Sequence, residues 1–374
     1  MNFTMINNNK DGESVGLLLT YKCNLDCKYC YIYTKRNKNM SLATAMNILE
    51  KFLIIKDNGP LDIIFVGGET LLAYDVIQSL VEWTNKRKWN RDFRFFGSTN
   101  GTLLNKELKH WLTKHKDTIT LGLSYDGIPS VQAQNRGSNQ IDIDFFIKTW
   151  PKQPIQMTIN AQSVNHMADG VIYLLEKGGV VHPNVAYENN EWSTEKICEY
   201  RRQLYKLILY YQRNSDKPII SQFLHNLNEY ASNIETPKKQ VEICGAGNGY
   251  QVYDIDGKSY PCHILSPLVL SDKKLKAINN GLVSNTNDFS DSMCNLCPYN
   301  TSCATCIGCN YNYRGSLQKR DITHCHIMKS EVQMYIKMEY LRLIKKKDIT
   351  PADAKEIVSI KKLIDYNKRT SIFL

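Results

Sequence analysis

The sequence predicts an α/β fold: a partial (β/α)6 TIM barrel, followed by a small cysteine-rich domain and a C-terminal helical tail. Three observations lead there. Six apolar, strand-like segments alternate with helix-like segments through the first two-thirds of the chain. Beyond about residue 235 the helical period fades, and eight of the 12 cysteines fall between Cys244 and Cys325. Helical patterning then resumes and runs to a basic end. The expected boundaries are 1–235 for the barrel, 236–335 for the cysteine-rich domain and 336–374 for the tail.

The strands are VGLLLTY (15–21), LDIIFV (61–66), FRFFGS (93–98), TITLGLS (118–124), PIQMTIN (154–160) and NVAYE (184–188). Near-continuous apolar strands separated by helices imply a parallel sheet covered by those helices. Between the first two strands, Leu42, Met46, Leu49 and Leu53 recur at helical spacing behind Ser41, an N-cap candidate. Further helices are predicted around 76–86, 105–115 and 167–177. Six units suffice for a partial barrel and are too few for a closed eight-stranded one. The stretch 244–325 is rich in Cys, Gly, Asn and Tyr and cannot build much apolar core, so metal centres are expected to pin it. The last helix begins at Thr350, its N-cap, with Pro351 at the first helical position.

Composition narrows the class. The chain has 374 residues, is 43% hydrophobic and contains no apolar run long enough to span a bilayer. The N-terminus lacks the apolar stretch of a secretory signal, which points to the cytoplasm. Clustered cysteines in that setting favour metal or cluster ligation over a disulfide framework. Cys198 stands apart and reads as a buried thiol. The net charge is +10, and the segment 336–374 carries ten Lys or Arg against five Asp or Glu. A solvated helical face explains that balance, and no RRM, KH or zinc-finger signature supports nucleic-acid binding.

The chemistry begins at Cys23-Asn-Leu-Asp-Cys27-Lys-Tyr-Cys30, on the loop after the first strand. Three thiolates so spaced can hold three corners of a cubane cluster and leave the fourth iron open for a ligand. A zinc site with a fourth ligand from elsewhere is the competing reading, but zinc knuckles prefer C-x2-C pairs. The C-x3-C-x-aromatic-C pattern resembles the radical S-adenosylmethionine (SAM) superfamily. That resemblance implies a [4Fe–4S] cluster at Cys23, Cys27 and Cys30 whose open iron chelates SAM, reductive cleavage of SAM to a 5′-deoxyadenosyl radical, and Tyr29 beside the adenine. Gly67-Gly68-Glu69 at the end of the second strand matches the GGE segment that receives the methionyl amino group. Thr99-Asn100-Gly101-Thr102 resembles another segment common in these enzymes. Ser124 and Arg136 match residues that hold the SAM carboxylate in sulfatase-maturating relatives. These positions fall at carboxyl ends of strands, where barrel enzymes build their sites.

The second cysteine field reads Cys244, Gly257-x4-Cys262, Cys294-x2-Cys297-x5-Cys303, Cys306, Cys309 and Cys325, and it resembles the SPASM extension. The resemblance implies two auxiliary [4Fe–4S] clusters: one on Cys294, Cys297, Cys303 and Cys325, the other on Cys244, Cys262 and Cys309. The pattern departs at its last step, where cysteine is expected at 307 and Ile307 stands between Cys306 and Cys309. Either cysteine, or both, can serve as the ligand. A structural zinc ribbon is the alternative for this field.

SPASM extensions accompany enzymes that modify peptides or proteins. The favoured reading is a maturase that installs a thioether or carbon–carbon cross-link, or a similar change, in a ribosomally made peptide. The alternative is a sulfatase-maturating enzyme that makes formylglycine, but the Asp base of that family is replaced here by His263, a candidate proton acceptor. An RNA-modifying radical enzyme and a non-catalytic Fe–S electron carrier rank lower. Expected partners are a precursor peptide or protein and a reductase or flavodoxin-type electron donor, without membrane or nucleic acid. Residues 1–14 are too few for a leader-binding domain ahead of the first strand, so a separate recognition protein or the basic tail is expected to grip the precursor.

Overall fold

The computed structural model describes residues 13–32, 35–56, 59–186, 191–238, 244–246, 249–279, 291–303 and 305–370. From the start, β1 (Glu13–Thr20), α1 (Leu42–Leu53), β2 (Leu61–Gly67), α2 (Tyr74–Asn85), β3 (Phe93–Thr99), α3 (Lys106–Lys114) and β4 (Ile119–Leu123) alternate. Next come α4 (Pro129–Arg136), α5 (Ile143–Thr149), β5 (Ile155–Ile159), α6 (Met167–Glu176), β6 (Val181–Val185), α7 (Thr194–Tyr211) and α8 (Leu227–Asn233). The remainder holds β7 (Tyr250–Tyr253), β8 (Ser259–Tyr260), α9 (Asp272–Asn279), α10 (Ile307–Arg314), α11 (Ile322–Leu343) and α12 (Pro351–Arg369). Two compact units emerge: Met1–Met157 with Lys177–Val180 and Cys244–Asn287, and Thr158–Glu176 with Val181–Ile243 and Asp288–Leu374.

The first unit contains the α/β sheet that the alternating pattern predicts. Its order is β4-β3-β2-β1-β7-β8, parallel from β4 through to β7. Val15, Leu17, Ile63 and Phe95 are fully buried, as strands covered on both faces require. Phe65 and Phe95 stack across β2 and β3 with centroids 5.2 Å apart. Ser41 caps α1, its hydroxyl accepting from the Thr44 amide at 3.0 Å, and Leu49 and Leu53 face the core. Beyond β4 the ladder thins to one isolated bridge, Ser124 to Gln156, beside the Tyr125 amide bond to the Gln156 carbonyl at 2.9 Å. β5 and β6 pair in a two-stranded sheet. β6 starts three residues ahead of the expected strand, whose residues 187 and 188 lie outside those described.

Pattern reading missed β7, which pairs parallel with β1 from Ser14 to Leu17. Four residues, YQVY, are too short to announce a strand among turn residues, and their partner lies far away in sequence. The β7–β8 turn explains the glycine of the G-x4-C segment. Gly257 sits at φ +82°, a conformation L side chains rarely adopt, and its amide donates to the Asp254 carbonyl at 2.8 Å.

The second unit is helical. α7 packs on α6 and α11, and α8 packs on α12. Tyr230, Tyr299, Cys303, Val332 and Leu363 share one buried cluster. The tail therefore closes a core: α12 buries Ile360 and Leu363. Its start is fixed by a capping box between Thr350 and Asp353, with Pro351 in the first turn. Among the described residues no helix is long and apolar enough to cross a membrane. Replacing Thr350 by Ala removes one arm of the capping box and should lower unfolding stability by about 1 kcal/mol in urea titrations. No measurable change would show that the cap leaves the second unit's stability untouched.

Candidate active site

None of the twelve cysteines forms a disulfide. Cys23, Cys27 and Cys30 lie on the loop that leaves β1, where the β1–β2 register shifts between Leu18 and Thr20. The loop is locked to the end of β2 through its backbone. The Gly68 amide donates to the Thr20 carbonyl at 3.1 Å and the Glu69 amide to the Lys22 carbonyl at 2.8 Å. A Cβ on Gly68 would stand 2.2 Å from the Lys22 carbonyl oxygen and 3.0 Å from Cys23 Cβ. Gly67 is also tight, since its Cβ would stand 2.6 Å from the Thr20 carbonyl oxygen. The two glycines thus admit the cysteine loop itself against the strand end.

Glu69 is 2% exposed and receives three hydrogen bonds: Thr99 Oγ1 at 2.7 Å, the Asn100 amide at 2.8 Å and the Leu71 amide at 3.1 Å. Burial pushes its carboxyl above the usual range, against the pull of those donors and of Arg136. The Thr99–Thr102 segment also braces the loop. Asn100 Nδ2 donates to Asn24 Oδ1 at 2.9 Å, and Asn24 Nδ2 donates to Thr102 Oγ1 at 2.7 Å.

Tyr29 and Arg136 meet at a residue to which the motif reading gave no function. Asp126, fully buried after β4, accepts from Tyr29 Oη at 2.6 Å and from Asn135 Nδ2 at 3.2 Å, and it pairs with Arg136 Nε at 3.0 Å. The Arg136 guanidinium lies 5.4 Å from the Tyr29 ring centroid. Burial works against the Arg136 charge, yet Asp126 holds it firmly protonated. The Lys28 amide bonds to the Asn135 carbonyl at 3.0 Å, which ties α4 to the cysteine loop. Ser124 is half-buried at the end of β4, its amide bonded to the Thr99 carbonyl at 2.9 Å. Burial raises the Cys27 thiol to about 11 while Arg136 opposes it. Cys23 is raised in the same way, with the Leu25 backbone and Lys35 opposing.

His263, next to Cys262, is buried at 4% exposure, and its ring centroid is 5.9 Å from that of Tyr31, which follows Cys30. Burial lowers its pKa to about 4, so the imidazole is neutral at physiological pH. Tyr250 Oη is buried without a hydrogen-bond partner among the described residues, in the electrostatic field of Cys262 and Cys244.

In the second unit Cys294, Cys297, Cys303 and Cys325 interact electrostatically with one another around Arg320. Arg320 Nη1 donates to the Cys303 carbonyl at 3.1 Å and to Cys303 Sγ at 3.2 Å. Cys306 is the N-cap of α10, with Sγ accepting from the Cys309 amide at 3.4 Å. Among the described residues no three His, Cys, Asp or Glu side chains converge as a single metal ion requires. A four-iron cube takes one thiolate per iron and spreads them more widely. The donor sets suit such a cube: thiols alone, half-buried or buried, with buried cationic donors beside them. The tail's charge is partly balanced within the unit, since Arg342 pairs with Glu339, Asp353 and Glu356, Lys346 with Asp353, and Lys362 with Glu235.

This site sits on a domain that comparison identifies. Residues 17–137 match the radical SAM superfamily model, so the chain carries a radical SAM domain. It is 38% identical over 112 residues to an uncharacterized protein of Methanocaldococcus jannaschii, covering 30% of this chain and 38% of that one. It is 31% identical over 157 residues to the radical SAM cyclopropyl synthase TigE of Paramaledivibacter caminithermalis, covering 36% of this chain and 32% of TigE. The match thus spans only about a third of these relatives. Among solved structures, anSMEcpe with bound AdoMet and the Cp18Cys peptide superposes with a TM-score of 0.61 at 18% identity, over 89% of this chain and 98% of that one. Streptococcus suis SuiB bound to S-adenosylmethionine gives 0.56 at 17% identity, over 84% and 77%. The structural likeness is one of fold.

Replacing Asp126 by Asn removes the carboxylate charge that faces the buried Arg136, and should cost roughly 3 kcal/mol in urea unfolding. A loss below about 1 kcal/mol would refute Asp126 as the counter-charge that organises this side of the site.

Proposed function

We propose that this chain is a radical SAM maturase of a ribosomally made peptide. The observation that carries the proposal is the convergence of the three-cysteine loop, Glu69 and the Asp126–Arg136 pair at the carboxyl ends of β1 to β4. When bound, a [4Fe–4S] cluster with one open iron and SAM supply a 5′-deoxyadenosyl radical that abstracts hydrogen. In this reading Cys23, Cys27 and Cys30 hold that cluster. Gly67, Gly68 and Glu69 seat the SAM amino group, Ser124 and Arg136 its carboxylate, and Tyr29 borders the adenine. Asp126 positions Tyr29 and Arg136 together, which orients two SAM contacts through one buried carboxylate. Cys294, Cys297, Cys303 and Cys325 hold one auxiliary cluster; Cys244, Cys262 and Cys309 hold the other, with Cys306 as its fourth candidate. In this reading His263, uncharged and beside Tyr31, accepts a proton from substrate.

The peptide class is supported by the solved neighbour that holds a peptide beside AdoMet. The same neighbour's fold coverage supports a second reading, formylglycine formation, in which His263 replaces an acidic base. The deciding experiment pairs the anaerobically reconstituted enzyme with peptides encoded beside its gene and reads product mass. Loss of two hydrogens per cross-link supports the first reading; conversion of one Cys to an aldehyde replaces it with the second.

Cys23→Ala should abolish 5′-deoxyadenosine formation, whereas Cys303→Ala should keep SAM cleavage and lose peptide modification. If Cys23→Ala still cleaves SAM, the cluster assignment fails. Exposed Lys361 and Lys368 on α12 test the tail. Their replacement by Glu should weaken precursor affinity, and unchanged affinity would assign recognition to a separate protein.

A further inference from the structure

Arg320 is 4% exposed, yet among the described residues only one of its three guanidinium nitrogens meets an acceptor. Nη1 serves the Cys303 carbonyl and sulfur. Among the described residues Nε and Nη2 are buried without a hydrogen-bond partner. A guanidinium keeps its proton under all ordinary conditions, so a full positive charge with three unspent N–H donors is held in a buried site. Leaving such donors unmet is costly unless something else accepts from them. No carboxylate forms an ion pair with Arg320 among the described residues. Its guanidinium lies instead against Cys303, one of the four cysteines of this set, touching both its carbonyl and its sulfur. The backbone holds it in place: the Arg320 amide donates to Asp291 Oδ2 at 2.9 Å, just ahead of Cys294.

We infer that Arg320 is the redox-positioning residue of the auxiliary cluster on Cys294, Cys297, Cys303 and Cys325, donating to its sulfur ligands and raising its reduction potential. The inference rests on the proposed ligation by those four cysteines. Its physical basis is charge. A cluster with four thiolates is already anionic and gains one more negative charge on reduction. A buried cation beside it therefore stabilises the reduced state more than the oxidised one. Hydrogen bonds to sulfur act in the same direction. The low local dielectric makes the effect larger than a surface arginine could give.

The test uses the full chain, reconstituted anaerobically, with iron and sulfide analysis and EPR-monitored redox titration. A Cys294→Ala/Cys325→Ala variant first identifies the signal that belongs to this cluster. If it loses no iron and no signal, the ligation assignment falls, whatever Arg320 does. In Arg320→Met, that same signal should titrate at lower potential. At a fixed potential its reduced-to-oxidised ratio should fall about tenfold, equal to about 59 mV for one electron. The signal of the cluster on Cys23, Cys27 and Cys30 should not move. Arg320→Lys, which keeps the charge and loses the fork, should fall between wild type and Met. An unchanged midpoint in an Arg320→Met protein with full iron content would overturn the inference. Should the Met variant fail to retain iron, Arg320→Lys and Arg320→Gln replace it. A lower midpoint in Gln than in Lys supports the inference, and equal midpoints overturn it.

Discussion

At position 68 a single methyl group would collide with the Lys22 carbonyl oxygen, and the mouth of the first unit is built around that exclusion. Backbone meets backbone there, which allows the Gly68 and Glu69 amides to bond into the cysteine loop. The loop's position then follows from the sheet rather than from its own sequence. Glu69 is drawn under the loop, where Thr99 and the Asn100 amide reach it from the end of β3. Asn100 in turn holds Asn24, between the first two cysteines. One close approach thus aligns the ends of three strands on the place where chemistry is proposed.

The polar groups around this mouth obey a common economy. A buried charge survives only when its surroundings supply the opposite charge or enough donors. Glu69 is met by three donors, and Arg136 is met by Asp126. In the second unit Arg320 breaks the pattern, since its guanidinium meets the carbonyl and sulfur of Cys303 and no carboxylate among the described residues. The thiols themselves are pushed up by burial, Cys303 to about 12 and Cys294 to about 11, so as bare side chains they would stay protonated. Iron and a nearby cation are what would make thiolates of them.

Much of this was legible in the sequence, for definable reasons. Parallel strands buried on both faces are long apolar runs, and their carboxyl ends are marked by short polar segments. Those segments singled out Glu69 and Ser124 in the sequence, whereas Arg136 stands at the end of α4 rather than at a strand end. Three things were hidden. β7 was invisible because four residues carry no period and its partner, β1, lies more than 200 residues away. Asp126 was visible as a residue but not as the anion shared by Tyr29 and Arg136, because an ion pair is a property of folded distances. Arg320 carried no signal beyond being a basic residue five positions before Cys325. The glycines of the GGE segment were recognised, but the cause lies partly elsewhere: they make room for the chain's own loop.

The basic tail shows how composition can describe a segment and miss its work. Counted by charge, α12 is a lysine-rich surface helix. In the fold its apolar side packs on α8, and Asn367 accepts from Tyr299, which stands between Cys297 and Cys303. The segment from Cys294 to Cys303 is a run of turns, with Cys297 bonded back to Cys294 at 3.0 Å and Cys303 back to Tyr299 at 2.9 Å. Turns alone do not fix a ligand set. Asn233 on α8 bonds the Pro298 carbonyl at 3.0 Å, and Tyr299 inserts into the core shared by α8, α11 and α12. Three helices, one of them the tail, therefore hold the cysteine turns from behind. The same helix exposes Lys361 and Lys368 to solvent on its outer face while its inner face holds the cysteine turns.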